Sequence, residues 1–165
     1  MRNWSQLELG CDALEFIAMA SKDDLDANAE FIRLADSYVE VPAGKNSNNY
    51  ANVDLICKLA KEQNVDAVWP GWGHASENPA LPRTLKEMGI MFLGPEQNVM
   101  YILGDKIAST ILAQSANVPC IPWSGDGLTA ELESDGTISE ETFKKACVTK
   151  VDECVAQANR IGYPT

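Results

Sequence analysis

The chain has one histidine, His74, and five scattered cysteines (Cys11, Cys57, Cys120, Cys147 and Cys154) with no C-x-x-C pair. The single histidine and the odd, scattered cysteines argue against a zinc site and a disulfide scaffold. A reducing compartment fits, with most thiols expected as small buried hydrophobes. Basic residues are also scarce. Thirteen Lys and Arg stand against 24 Asp and Glu, a net charge of −11. That sign argues against nucleic acid and anionic membrane as partners, although a nucleotide needs only a local anion hole. No apolar run approaches the ~20 residues of a membrane span. No N-terminal stretch combines a basic end, an apolar middle and a cleavage site. Internal repeats are absent. What is present is 165 residues, enough for one domain or one domain plus part of another.

Apolar runs bounded by Gly, Pro or polar clusters predict strands at 15–20, 38–41, 65–69, 90–93 and 118–121. Helices fall between them. Ser21, with Asp24 three residues on, starts a helix whose stripe is Leu25, Ala29, Ile32 and Ala35. Asn49 or Asn52 starts another, which buries Val53, Ile56 and Ala60. Asn78 caps a third, with Pro79 at its first position and Gly89 at its end. A short helix over 96–103 leads to Asp105, which caps a helix running to 116 with Ile107, Ile111 and Leu112 inward. Trp4, Leu7 and Leu14 would share one face of an N-terminal helix. This alternation predicts an α/β protein with a doubly wound parallel sheet. Residues 123–140, rich in Gly, Ser, Thr and acids, read as a long surface loop or a domain junction. Helices at 141–146 and 151–161 follow, the second with Val155 and Ala158 inward. Residues 163–165 read as the start of a strand. The composition break divides the chain into 1–122 and 123–165.

The most informative stretch is 65–79, Val-Asp-Ala-Val-Trp-Pro-Gly-Trp-Gly-His-Ala-Ser-Glu-Asn-Pro. A strand here ends in a loop, and ligands of open α/β sheets bind just beyond the carboxyl ends of strands. Gly71 and Gly73 permit positive φ and close backbone approach. An ordinary strand-to-helix turn would have the same composition. The loop 44–49, Gly-Lys-Asn-Ser-Asn-Asn, reads either as a phosphate contact through Lys45 or as a turn, and Asn46, Asn48 and Asn49 are taken as turn residues.

Four stretches carry a family resemblance. They are Tyr-Val-Glu-Val-Pro-Ala-Gly-Lys-Asn-Ser-Asn-Asn-Tyr-Ala-Asn-Val-Asp-Leu, Trp-Pro-Gly-Trp-Gly-His-Ala-Ser-Glu-Asn-Pro, Leu-Gly-Asp-Lys and Gln-Ser-Ala-Asn-Val-Pro-Cys-Ile-Pro-Trp-Ser-Gly. The chain resembles the biotin carboxylase region of eukaryotic-type, multidomain acetyl-CoA carboxylases. Pyruvate and propionyl-CoA carboxylases, the alternatives within the superfamily, usually have Pro-Gly-Tyr-Gly-Phe-Leu-Ser-Glu in the second stretch. Trp72, His74 and Ala75 therefore favour the acetyl-CoA enzymes. The resemblance implies a Rossmann-like N-terminal domain over 1–122 and, from 123, a junction and the start of an ATP-grasp domain. It implies a ligase that carboxylates biotin with bicarbonate at the expense of ATP, for malonyl-CoA and fatty acid synthesis. ATP, biotin and Mg or Mn are the implied cofactors. Bicarbonate and a biotin carboxyl carrier domain are the implied partners, with a homo-oligomeric whole enzyme in the cytoplasm or a plastid. The family's first strand and its Gly-rich phosphate loop, base and metal ligands have no counterpart here. The expectation is a piece of the enzyme, cut at both ends and inactive alone, with no catalytic or metal-binding residue of its own.

The family's nucleotide-contacting lysine falls on Lys106. Read without the family, Lys106 is a surface lysine paired with Asp105 at a helix start, where a cation opposes the macrodipole by roughly 0.3–1 kcal/mol unless an anion is near. Trp72 and Gly73 match the aromatic-Gly pair beside the biotin pocket. A core tryptophan is the plain alternative. Glu77 either orients that loop through hydrogen bonds or favours the helix N-terminus with its charge. His74 is given no role. A different class of reading also stands: a noncatalytic module that docks on a full-length carboxylase, or a stand-alone nucleotide-binding domain.

Overall fold

Strands β1 (Ile17–Ser21) and β2 (Ser37–Val41) run parallel, Ile17 opposite Ser37 and Ser21 opposite Val41. Parallel strands need a crossover, supplied here by α2 (Lys22–Asp26) and α3 (Glu30–Leu34). The chain divides into two units, Met1–Asn64 and Val65–Thr165, and the computed structural model describes residues 1–133 and 136–163. The second unit has its own parallel pair, β3 (Ala67–Val68) and β4 (Met91–Phe92), joined through α5 (Ala80–Glu87). The class is thus α/β and Rossmann-like, as the alternation predicts, with one two-stranded parallel ladder in each unit.

The predicted helix after Ser21 is broken in two. Asn28 adopts φ +49°, a left-handed conformation that Asn tolerates and that ends α2 before α3 begins. The N-terminal helix, α1 (Arg2–Trp4, continued by a wider turn over Ser5–Leu9), does not use its predicted face. Trp4 and Leu7 are 56% and 83% exposed. Polar groups hold this segment instead. Arg2 Nη2 donates to the Leu34 carbonyl at 3.1 Å and to Asp36 at 2.6 Å, and its guanidinium lies 4.8 Å from the centre of the Phe16 ring. The Phe16 amide and then Arg2 hold the Asp36 carboxyl below its ordinary range. Helix α4 (Val53–Glu62) is capped by Asn52, whose Oδ1 accepts from Leu55 N–H at 3.0 Å, and it buries Ile56, Cys57 and Ala60. Cys57 is the one cysteine fully buried among five free thiols, and Cys11 and Cys154 are exposed, against the expectation of mostly buried thiols.

In the second unit, α5 buries Leu81, Pro82 and Leu85. Helices α6 (Gln97–Gly104), α7 (Lys106–Ser115) and α8 (Glu140–Ala146) build a core of Ile102, Ala108, Ile111, Ile138 and Ala146. No strand forms at 118–121. Pro119 removes a ladder donor within the run and Pro122 another just after it. Residues 123–140 also depart from a surface loop. The described part carries no strand and no helix before Glu140, yet Trp123, Leu128 and Ala130 pack on the core. Few apolar residues suffice there because α7 side chains satisfy the loop backbone. Gln114 Nε2 donates to the Gly125 and Leu128 carbonyls at 3.1 and 2.7 Å, its Oε1 accepts from Trp123 Nε1–H at 2.6 Å, and Ser115 Oγ accepts from Ala130 N–H at 2.9 Å. Helix α9 (Val151–Ile161) buries no residue, and Val155, predicted inward, is 51% exposed. Tyr163 lies outside any strand, and the rest of the expected strand start, Pro164 and Thr165, falls outside the described residues.

The predicted capping box at Ser21 forms with an added member. Ser21 Oγ accepts from Asp24 N–H at 3.3 Å and donates to the Asp24 carboxylate. In the usual box the acid returns to the cap N–H. Here Ser21 N–H donates to Tyr50 Oη at 2.8 Å, and Tyr50 donates to Asp24 Oδ2. The hydroxyl thus relays the box and ties α2 to the segment before α4. Ser21 and then Tyr50 hold the Asp24 carboxyl below its ordinary range, while burial and then Asp24 push the Tyr50 phenol up. Tyr50→Phe strands the Ser21 N–H and should cost about 1–3 kcal/mol in denaturant unfolding. A depressed carboxylate contributes stability above its unfolded pKa of about 3.9, lost as pH falls through the lower folded value. Tyr50→Phe removes one cause of the depression, so its melting temperature should fall less steeply with acid below pH about 4 than that of the unaltered protein.

Candidate functional site

The loop beyond β3 holds three of the four candidate residues. It is built from left-handed backbone: Gly71, Gly73 and His74 have φ of +68°, +82° and +54°. A β-prone run thus turns into a tight loop within a few residues. Ser76 N–H donates to the Gly73 carbonyl at 2.9 Å, and Asn78 N–H to the Ala75 carbonyl at 3.1 Å. Ala75, 2% exposed, anchors the loop. At its end Asn78 Oδ1 accepts from Ala80 N–H at 3.0 Å, and Pro79 already has helical φ and ψ of −65° and −16°. The Asn-Pro helix start is therefore as the sequence predicts.

Trp72 is 95% exposed, so it is no core tryptophan. Its ring is presented outward by the glycines on either side. Nothing lies within 4 Å of a Cβ built at Gly73, so the glycine is required by its positive φ rather than by crowding. Glu77 is exposed, and its carboxylate makes no hydrogen bond or ion pair among the described residues. The loop is ordered by backbone bonds and Asn78 without it.

Lys106 is the first residue of α7. Asp105 does not pair with it. The Asp105 Oδ1 caps the helix, accepting from Ile107 N–H at 2.9 Å and Ala108 N–H at 2.8 Å. The Lys106 side chain is exposed and has no ion pair among the described residues. The plain alternative, a lysine paired with its neighbour, is thus not what forms.

In the first unit the loop after β2 is held by Asn49, which is 1% exposed. Its Nδ2 donates to the Pro42 carbonyl at 2.9 Å, and its Oδ1 accepts from Tyr50 N–H at 2.6 Å. The turn reading of Asn49 understated it. It is the buried peg of a loop at the carboxyl end of a parallel strand, and it sets the approach to Tyr50. Nothing in the composition separates it from Asn46 and Asn48, which are exposed. Lys45 lies in the same loop, exposed. A groove of about 700 Å³ in the second unit is lined by Arg83, Lys86, Phe92, Gly94 and Glu96, and includes none of the four candidate residues. Among the described residues no three His, Cys, Asp or Glu side chains gather as a metal site.

Residues 1–100 match the family model described as biotin carboxylase, N-terminal domain. The chain belongs to that family. It is 52% identical to acetyl-CoA carboxylase 1 of Oryza sativa subsp. japonica over 165 residues, covering 99% of this chain and 7% of that protein. It is 52% identical to the acetyl-CoA carboxylase of Saccharomyces cerevisiae over 171 residues, covering 99% of this chain and 8% of that one. Solved structures agree in fold. The biotin carboxylase–βγ-ATP complex of Campylobacter jejuni superposes with a TM-score of 0.74 at 26% identity, covering 97% of this chain and 30% of that one. The biotin carboxylase domain dimer of Hydrogenobacter thermophilus 2-oxoglutarate carboxylase, in complex with MgADP, ADP and bicarbonate, gives 0.73 at 28% identity with the same coverage. The chain therefore spans less than a tenth of the length of the two acetyl-CoA carboxylases.

The Asp105 cap carries the geometry of Lys106. Asp105→Ala removes both bonds to the first turn of α7 and should lower stability by about 0.5–2 kcal/mol. Denaturant unfolding followed by circular dichroism measures it, and Asp105→Asn should recover most of the loss because Asn caps about as well.

Proposed function

We propose that this chain supplies the N-terminal part of the biotin carboxylase component of an acetyl-CoA carboxylase. The whole enzyme carboxylates biotin with bicarbonate and ATP, and the carboxyl group then serves malonyl-CoA and fatty acid synthesis. The observation that carries this reading is the 52% identity with acetyl-CoA carboxylases of rice and yeast along 99% of the chain. Residues 1–122 are assigned to the Rossmann-like domain and 123–165 to the junction and the start of the ATP-grasp domain. The whole protein's partners are ATP, bicarbonate and a biotin carboxyl carrier domain. It works as a homo-oligomer in the cytoplasm, with a plastid as the second possibility. Among the described residues, no helix is long and apolar enough to cross a membrane.

The residues present fit part of this chemistry. Lys106 is assigned to ATP. Its ammonium is exposed and makes no ion pair among the described residues, and it stands on the first turn of α7, whose N-terminal dipole also favours an anion. Trp72 and Gly73 are assigned to the biotin side, where an outward indole face can pack on a fused ring. Glu77 is assigned to the same wall. ATP, when bound, supplies the phosphoryl group that activates bicarbonate. The described residues offer no cluster for Mg or Mn, so the metal is not assigned to them. The chain alone is expected to catalyse nothing, since activation of bicarbonate needs a phosphate cradle, a metal and a base together.

The test is a chimera in which these residues replace the matching segment of the yeast acetyl-CoA carboxylase. The chimera should carboxylate biotin in an ATP- and bicarbonate-dependent assay. A folded chimera that binds ATP and yields no carboxybiotin would overturn the reading. Within it, Lys106→Ala should raise the apparent KM for ATP roughly tenfold or more, as expected for loss of a charge-assisted bond of about 1.5–3 kcal/mol. Gly73→Val, which forces a β-branched residue to φ +82°, should impair biotin carboxylation more than ATP binding.

A further inference from the structure

Among the described residues, positive φ falls mostly on glycine. The exceptions are Asn28, Asn64, Asn117 and His74. The three asparagines each stand just beyond a helix end, after α2, α4 and α7. Asn tolerates that conformation because its short amide can bond the local backbone. His74, with φ +54°, is neither glycine nor asparagine and follows no helix.

His74 is the first central residue of a turn. Ser76 N–H donates to the Gly73 carbonyl at 2.9 Å and closes it, and Ala75, the second central residue, is not left-handed. Turns with positive φ at the first central position alone favour glycine there. The chain places glycine at 71 and 73, then an imidazole where a third glycine would suit the backbone best. The closing bond is backbone to backbone, and the buried anchor is Ala75, 2% exposed. Glycine at 74 would leave both in place. Strain kept at a residue of this kind points to a use for its side chain, and such strain clusters at ligand clamps.

The position indicates the use. Two residues of chain span at most about 7 Å, so a fused ring lying on the Trp72 indole comes within reach of the His74 side chain. Gly73 between them offers no side chain, and nothing lies within 4 Å of where one would stand. Biotin's fused ring carries a ureido group, a polar edge on an otherwise apolar body. An indole face can cover the body. The ureido carbonyl still needs a donor, and a neutral imidazole has one N–H to give.

We propose that His74 is a further biotin-binding residue, its imidazole N–H donating to the ureido carbonyl of a biotin packed on Trp72. The inference rests on the carboxylase reading and deepens it. A hydrogen bond of this kind serves recognition, so its loss sits in KM rather than kcat.

The test uses the yeast chimera with free biotin as the probe. His74→Gly suits the left-handed turn and removes the imidazole. It should raise KM for biotin roughly two- to tenfold, the equivalent of one neutral hydrogen bond, and leave KM for ATP where it was. Equilibrium dialysis of labelled biotin without ATP should show the same loss of affinity. His74→Asn keeps both the left-handed backbone and a shorter donor, and should lie between His and Gly. In the 165-residue chain, His74→Gly should hold or raise the melting temperature. A lower melting temperature would make the imidazole a prop of the loop and overturn the inference, as would an equal rise in KM for ATP. An unaltered chimera that carboxylates no biotin would overturn the carboxylase reading and this inference with it. An active chimera whose affinity for biotin is indifferent to His74→Gly would overturn this inference alone.

Discussion

Gln114 carries the second unit's most consequential set of bonds. One amide satisfies two loop carbonyls and an indole N–H, so these groups stay hydrogen-bonded where irregular backbone lies against a core. Buried irregular backbone is expensive because its donors and acceptors lose water. Gln114 and Ser115 remove that cost, and the apolar gain from Trp123, Leu128 and Ala130 then suffices to fix the loop. Helix α7 therefore faces two ways. Its apolar stripe holds the core, its polar residues hold the following segment, and its first residue presents the candidate nucleotide contact.

The first unit solves a similar problem with Tyr50. Parallel strands expose loops at their carboxyl ends, and those loops lack the ladder that orders the strands. Here Asn49 pegs one loop, and Tyr50 reaches from it to the cap of the helix that follows the other strand. A hydroxyl that both accepts and donates bridges a donor and a carboxylate that would otherwise face each other less well. Stability and local charge are linked by the same three groups.

The candidate residues divide by the kind of order around them. Trp72 and Gly73 sit on backbone whose shape is dictated by positive φ, so their placement is local. Lys106 sits on a capped helix, so its placement is that of α7. Glu77 has no partner among the described residues and contributes charge alone. The family assignment is carried by sequence, and the chain covers 30% of the solved biotin carboxylases it resembles.

Local signals were legible in the residues. The Ser21 and Asp105 caps, the Asn-Pro start of α5, the parallel α/β class and the family itself all follow from short-range pattern, because a cap or a strand–turn–helix needs only neighbours along the chain. Tertiary structure decided the rest. Asn28 broke a helix whose stripe looked continuous, since one left-handed residue outweighs a weakly buried face. Prolines cancelled a strand at 118–121, because pairing requires donors that periodicity does not count. Asn49, Tyr50 and Gln114 gained their roles only when partners distant in sequence came within hydrogen-bond reach. Composition records which groups are polar, and only the fold decides which of them lose water and must find one another.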